Sequence, residues 1–391
     1  MSKKINNKEI SIIGGAGHVG FPLGLVFASK GFKVNLVDIN RDFLDSINRG
    51  IPPFLEKGAK KILKKVLKKK LFTSTNYEPV KKSKFVVICI GTPIDKNLKP
   101  KIKEFLNFFY FLRKLVSKSQ IIIIRSSIFP GIFNKASKIL KDKNIVYCPE
   151  RIVQGKSIEE LPKLPQIIAG NNTKSVNLTK KLFKKISTKI IVTSVLEAEL
   201  IKLFSNANRY VNFSIANQLY MICKENKLDF SRVRNIMRDG YERNLNLPTA
   251  GFTAGPCLLK DTMQLSSFYK NKFSLGYTAM EINEGIPKFL ITNLRKKYNL
   301  KKKVIGILGL AFKAETDDIR DSLSIKLINY LKKNKFKFLQ SDEYYKNQFT
   351  IKKELLIKKS DIIIIAAPHE RYKKINFPKN KIVVDIWGIK K

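Results

Sequence analysis

Ile10-Ser11-Ile12-Ile13-Gly14-Gly15-Ala16-Gly17-His18-Val19-Gly20 is the stretch on which the rest of the chain turns. Ile10 to Ile13 reads as a short buried strand, and G-x-G-x-x-G follows directly as Gly15, Gly17 and Gly20. A helical pattern then begins, so the glycines fall at a strand–helix junction. Backbone without Cβ atoms at such a junction lets N–H groups and a helix N-terminus face a pyrophosphate. A second strand, Lys33 to Val37, runs into Asp38, 18 residues after Gly20. An acid there accepts hydrogen bonds from the adenosine ribose, which favours NAD over NADP; only the nearby Arg41 argues the other way.

From residue 8 to about 190, strand candidates continue to alternate with amphipathic helices: Phe85 to Ile90, Gln120 to Arg125, Ile145 to Tyr147, Ile167 to Ala169 and Lys189 to Val192. Such alternation predicts an α/β domain with a Rossmann-like, doubly wound parallel sheet. Strand signals stop between Ser194 and Tyr298, where Leu196 to about Asn226 reads as one long helix without Gly or Pro. They resume at Val304 to Leu308, Phe336 to Gln340, Ile362 to Ala366 and Ile382 to Asp385, predicting a smaller Rossmann-like α/β domain at the C-terminal end. The expected division is 1–194, 195–299 (the long helix and a helical region) and 300–391.

The 391 residues carry 76 Lys and Arg against 31 Asp and Glu, a net charge of +45. Only 13 of the basic residues are Arg, and the lysines are spread over the whole chain. A nucleic-acid binder would gather its charge in one stripe and favour Arg, so no nucleic-acid partner is expected. The densest run, Lys60 to Lys70, places Ile62, Leu63, Val66 and Leu67 at helical spacing and reads as a solvated helix face. No apolar run reaches the roughly 18 to 20 residues of a membrane span, and no signal-peptide pattern opens the chain. The expected setting is the cytoplasm, away from membranes. Four scattered cysteines without a C-x-x-C pair fit neither a disulfide framework nor a zinc site, and no metal is expected.

A second motif is Gly251-Phe252-Thr253-Ala254-Gly255-Pro256-Cys257-Leu258-Leu259-Lys260-Asp261, after which a helical pattern sets in. A thiol at a helix N-terminus is favoured as thiolate, so Cys257 is the candidate nucleophile, whereas Cys89, Cys148 and Cys223 read as small apolar residues. If the helix starts near Cys257, Asp261 at i+4 shares its face. In the long helix Lys202, Asn206, Tyr210, Phe213 and Asn217 form one stripe. A stripe with Lys and two Asn is either exposed or lining a site, and the pattern alone favours exposure. With only His18 and His369 in the chain, proton transfer is expected to fall to Lys, Asp, Glu or water.

Together these residues resemble the nucleotide-sugar 6-dehydrogenases, the UDP-glucose, UDP-N-acetylhexosamine and GDP-mannose dehydrogenases. The resemblance also rests on Gly91-Thr92-Pro93, Ser126-Ser127-Ile128-Phe129-Pro130-Gly131, Cys148-Pro149-Glu150-Arg151, Glu199 through Asn206, and Gly309-Leu310-Ala311-Phe312-Lys313 with Asp317 to Ser322. It implies an NAD-binding domain, a central dimerisation domain and a C-terminal UDP-sugar-binding domain, hence a homodimer. It further implies a four-electron, NAD-dependent oxidation of a UDP-sugar's carbon-6 alcohol to a uronic acid for surface polysaccharide, by way of a cysteine thiohemiacetal and thioester.

The catalytic residues it implies are Cys257, Lys202, Asn206, Asp261, Glu150 and Ser127. Implied NAD contacts are Gly15, Gly17, Val19, Gly20, Asp38, Thr92, Ser127, Lys260 and Arg320. Implied substrate contacts are Glu150, Lys202, Asn206, Arg243, Gly251 and Lys313, with Arg243 reaching the neighbouring subunit's sugar. Arg151 after Glu150 matches the N-acetylhexosamine branch and Leu259-Lys260-Asp261 looks more like the UDP-glucose branch, so the sugar stays open. A two-electron dehydrogenase of the hydroxyacid type would share the fold without needing Cys257.

Overall fold

Ile10 and Ile12 on one face of the first strand, and Ile13 on the other, are all buried, as expected of a central parallel strand covered on both sides. The computed structural model describes residues 6–92, 94–95, 98–141, 144–253 and 255–390; Pro93 and Ala254, quoted in the motifs above, lie outside them. Chain contacts divide it into two units, 1–204 and 205–391.

In the first unit, strands β1 (Asn6–Ile13), β2 (Lys33–Val37), β3 (Leu71–Ser74), β4 (Ser83–Ile88), β5 (Ile121–Ile124) and β6 (Asn144–Tyr147) form one sheet in the order β3-β2-β1-β4-β5-β6. Every pairing is parallel. The order reverses at β1 and β4, so a crevice opens at the C-terminal ends of these strands, beside the glycine turn. β7 (Gln166–Ile168) and β8 (Ile190–Val192), expected to extend that sheet, instead pair with each other. Ala169, just past β7, makes an antiparallel bridge to Tyr147 of β6. The edge strand β3 carries no apolar run that sequence could single out. The lysine-rich helix Ala59–Val66 buries Ala59, Leu63 and Val66, and ends before Lys68, whose φ of +57° breaks it ahead of β3.

The long helix is Val195–Glu225. It starts where Ser194 and Glu197 form a capping box: Glu197 accepts from the Ser194 amide at 3.0 Å and donates its own amide to the Ser194 hydroxyl at 3.4 Å. Lys227, with φ +58°, closes the turn that follows the helix.

In the second unit, β9 (Val304–Leu308), β10 (Lys337–Ser341), β11 (Ile362–Ile365) and β12 (Ile382–Asp385) form a parallel sheet in the order β10-β9-β11-β12. Its core of Ile305, Ile307, Ile362 and Ile364 packs with Leu290, Leu294, Leu323 and Leu327 of flanking helices. Among the described residues no helix is long and apolar enough to cross a membrane.

Candidate active site

The glycine turn separates what the fold needs from what a ligand needs. A Cβ on Gly20 would come within 2.3 Å of the Gly14 carbonyl oxygen, so the close entry into helix Gly20–Ser29 requires glycine. A Cβ on Gly17 would meet nothing nearer than that same oxygen at 3.4 Å. The protein leaves Gly17 room, and the bare backbone there forms a cradle that a side chain would fill. Val19 is the N-cap of the helix. The Asp38 carboxylate accepts from the Ala16 amide at 2.9 Å and the Asn40 amide at 3.0 Å, which ties the end of β2 to the turn and leaves lone pairs for a diol. These residues fit NAD. Gly17→Val is therefore expected to weaken NAD binding roughly tenfold or more, about 1.4 kcal/mol, without lowering the unfolding midpoint. Titration showing wild-type affinity would remove Gly17 from the cradle.

Thr92, after β4, and Ser127, after β5, are brought together: the Thr92 hydroxyl donates to the Ser127 carbonyl at 2.6 Å. Glu150, after β6, is 6% exposed and held by three donors. One oxygen accepts from the Arg151 and Ile152 amides at 2.7 and 3.1 Å, and the other pairs with the Arg125 guanidinium. Arg125, which the sequence reading missed, is fully buried and also reaches Cys148 Sγ at 3.0 Å and Gln166 Oε1 at 2.9 Å. Burial opposes its charge, but Glu150 and the neighbouring thiols raise its pKa above the ordinary arginine value. Its signal was available: an arginine directly after Ile121-Ile122-Ile123-Ile124 must sit at the end of a fully buried strand.

Lys202 and Asn206 lie one turn apart on the long helix, 9% and 6% exposed, and Tyr210 and Asn217 on the same stripe are fully buried. Exposure, which the pattern alone favoured, is thus overturned. Its two asparagines are satisfied inside the fold. Asn206 Nδ2 donates to Asp261 Oδ2 at 2.6 Å, and Asn217 joins Asn283 at 2.8 Å while accepting from the Gly251 amide at 2.8 Å.

Cys257 is the N-cap of helix Leu258–Phe268, so the helix begins ahead of Thr262, where the helical pattern alone started it, and the Cys257 side chain is exposed. Asp261, one turn on, is fully buried and paired with Lys260 Nζ at 3.3 Å. Burial by itself would lower the Lys260 pKa; Asp261 and the Cys257 thiol raise it above the usual lysine range. Arg320 is held up first by its hydrogen bonds to Asp318 and also by the Cys257 thiol. A Cβ on Gly255 would come within 2.5 Å of the Phe312 ring, so the cysteine loop lies directly on the Gly309-to-Lys313 segment. Lys313 Nζ stands 6.0 Å from the same ring centroid. Arg243 is exposed and stacks on Tyr241 at 5.6 Å.

Backbone laid open for a pyrophosphate at the switch point of a parallel sheet defines a dinucleotide-binding protein. Comparison with known proteins narrows the class. Models of one family match three successive segments: the NAD binding domain of the UDP-glucose/GDP-mannose dehydrogenase family over 8–187, its central domain over 196–285, and its UDP binding domain over 306–391. The chain belongs to the UDP-glucose/GDP-mannose dehydrogenase family and is an NAD-dependent nucleotide-sugar dehydrogenase.

Among its relatives is a UDP-N-acetyl-D-mannosamine dehydrogenase of Pyrococcus horikoshii, 28% identical over 95% of this chain and 93% of that one. A protein of the same name from Methanocaldococcus jannaschii is 28% identical over 98% and 92%. The solved structure of UDP-D-ManNAc dehydrogenase from Pyrococcus horikoshii superposes with a TM-score of 0.89 at 28% identity, covering 98% of this chain and 96% of that one.

Proposed function

We propose that the protein oxidises carbon 6 of a UDP-N-acetylhexosamine, N-acetylmannosamine foremost, to the uronic acid, in the cytoplasm, as a precursor for surface polysaccharide. The single observation that carries the chemistry is the exposed Cys257 thiol at a helix N-terminus, one turn from an Asp261 that Asn206 and Lys260 hold. The N-acetylhexosamine is supported by the relatives' names and by Arg151 after Glu150.

NAD, when bound, accepts a hydride from carbon 6 in each of two oxidations. The chain supplies the rest. The thiolate of Cys257 adds to the aldehyde as a thiohemiacetal; oxidation of that adduct leaves a thioester, which water hydrolyses to carboxylate and free thiol. Lys202 and Asn206 stabilise the oxyanion that develops at each tetrahedral stage. Asp261 acts with water in proton transfer, and Ser127 supports the same site. Glu150, pinned by Arg125, takes part in thioester hydrolysis as a fixed acceptor. Lys260, Arg320, Thr92 and Ser127 serve NAD, while Gly251 and Lys313 serve the substrate. Arg243 reaches the sugar of a second subunit in a homodimer, a reading supported by the exposed apolar side chains Ile215 and Ile222 on the long helix.

Incubation with UDP-N-acetylmannosamine, UDP-N-acetylglucosamine, UDP-glucose and GDP-mannose, followed by mass spectrometry, tests this. Two NAD reduced per N-acetylmannosamine uronic acid formed is the expected result. Turnover of UDP-glucose alone would overturn the sugar, turnover of none the function, and sedimentation as a monomer at active concentration the shared site.

A further inference from the structure

We infer that His369, acting with Asp342, is a positioning residue for the nucleotide sugar: the pair sets the loop 309–316 on which Lys313 stands. The inference rests on the reading of Lys313 as a substrate contact. His369 has no place in the proposed chemistry, yet it is 0% exposed, in the turn that follows β11, in a chain with only two histidines.

The C-terminal ends of three adjacent strands meet at this loop. Gly309, directly after β9, has φ +95°, and a Cβ there would come within 2.5 Å of the Ala367 Cβ. Its amide donates to the Ser341 carbonyl at 2.9 Å, and the Ala366 amide donates to the Leu308 carbonyl at 2.8 Å. Asp342, just past β10, then receives the Leu310 and Ala311 amides on Oδ2 at 2.5 and 3.1 Å. Its Oδ1 receives the Tyr344 and Tyr345 amides at 2.8 and 3.0 Å.

His369 closes the far end. The Glu315 amide donates to Nδ1 at 3.1 Å, and Nε2 faces Asp342 Oδ2 at 3.3 Å. A backbone N–H can only donate, so Nδ1 must accept and the proton sits on Nε2, pointing at the carboxylate. Both ring nitrogens are committed, which rules out a proton-shuttling role in this arrangement and leaves a geometric one. Glu315 needs such a hold, because its φ of +54° is a left-handed conformation that a residue with a Cβ adopts at a cost. Its side chain is also engaged, by the Tyr344 hydroxyl and by the Glu370 amide at 3.0 Å.

The segment between these two anchors holds Phe312, on which Gly255 of the cysteine loop lies, and Lys313. A buried Asp–His pair is weak as a source of stability, since apolar side chains of equal volume do as well. Here the pair gives donors and acceptors to the backbone at both ends of one loop, and so fixes where Lys313 starts from.

The test uses UDP as probe on the full chain, titrated calorimetrically, with NAD titrated separately. His369→Phe keeps the ring volume and loses both nitrogens; it is expected to raise the UDP Kd roughly tenfold or more while NAD affinity stays within about twofold. His369→Asn, whose Oδ1 falls near the Nδ1 position and can accept from Glu315, is expected to recover UDP affinity to within about threefold of wild type. UDP binding by His369→Phe within about twofold of wild type, equal loss of UDP and NAD, or no recovery in His369→Asn would each overturn the inference. If His369→Phe does not fold, His369→Gln, which keeps the donor to Asp342 and loses the acceptor, is held to the same criteria. A wild-type chain that binds NAD but not UDP would overturn the substrate reading itself.

Discussion

Cys257→Ala is expected to lose net formation of the uronic acid by at least about 10³-fold, the scale on which nucleophile deletions act. An aldehyde has no hydride acceptable for a second oxidation until a nucleophile converts it to a tetrahedral adduct, and the described cysteines offer one exposed thiol. Cys148 and Cys223 are buried and Cys89 is half-buried. Burial pushes the Cys89 thiol up to about 12 and the Cys148 thiol to about 11, so neither is available as thiolate near neutral pH. Cys257 is set apart by position: it ends the glycine-bearing approach and caps a helix whose first turn buries Asp261. Cys257→Ser should stall at or before the covalent intermediate, since an alkoxide is harder to form and an ester slower to release. Alkylation of the wild type should modify Cys257 first and be slowed by UDP-sugar. Retention of two NAD reduced per sugar by Cys257→Ala within about tenfold of wild type would sink the covalent route, whereas one NAD reduced per sugar by the wild type would restore the two-electron alternative.

Arg125→Met is expected to cost about 3–5 kcal/mol, the usual cost of removing one partner of a buried ion pair. The guanidinium is fully buried among Glu150, Cys148 and Gln166, with its Cζ 5.0 Å from the Phe183 ring centroid. Without it the Glu150 carboxylate keeps only two backbone donors and almost no water. The midpoint of the transition that reports the first unit should fall by roughly 6 to 20 °C. Arg125→Met combined with Glu150→Gln removes both charges and should recover more than half of the loss, because the penalty lies in the stranded carboxylate rather than in the absent contact. Recovery of nothing would mean that Arg125 acts through packing on Phe183 alone. Hydrolysis of the thioester should remain slow in the double variant even as stability returns, which separates the role of Glu150 from its contribution to the fold.

Much of the fold was legible because it rests on local signals. Alternating isoleucine-rich strands and amphipathic helices gave the two parallel sheets, and an uninterrupted run from Leu196 gave the long helix within a residue of its observed Val195–Glu225 span. β3 was not legible: an edge strand pairing only with β2 needs no apolar run, and Leu71-Phe72-Thr73-Ser74 follows a lysine-rich helix without a break that sequence marks. Nor was the departure of β7 and β8 from the large sheet, since strand pairing depends on where the chain turns rather than on the strand's own residues.

The site divides in the same way. Gly15, Gly17 and Gly20, and likewise Cys257 and Asp261, fall at short spacings that a turn or a single helical turn brings together, so sequence alone singles them out, while Asp38 reaches the glycine turn through the pairing of β2 with β1. Which groups hold those residues in place was decided by tertiary contacts between positions far apart in the chain. Lys202 looked exposed until its stripe was found packed inward, with Asn206 on Asp261 and Asn217 on Gly251. The pairing of Arg125 with Glu150, and of Asp342 with His369 under the loop of Lys313, has no signature at any fixed spacing. A hydrogen bond or ion pair across 25 or 27 residues depends on the strand order that brings the partners together, and that order is a property of the packed sheet, not of the segment.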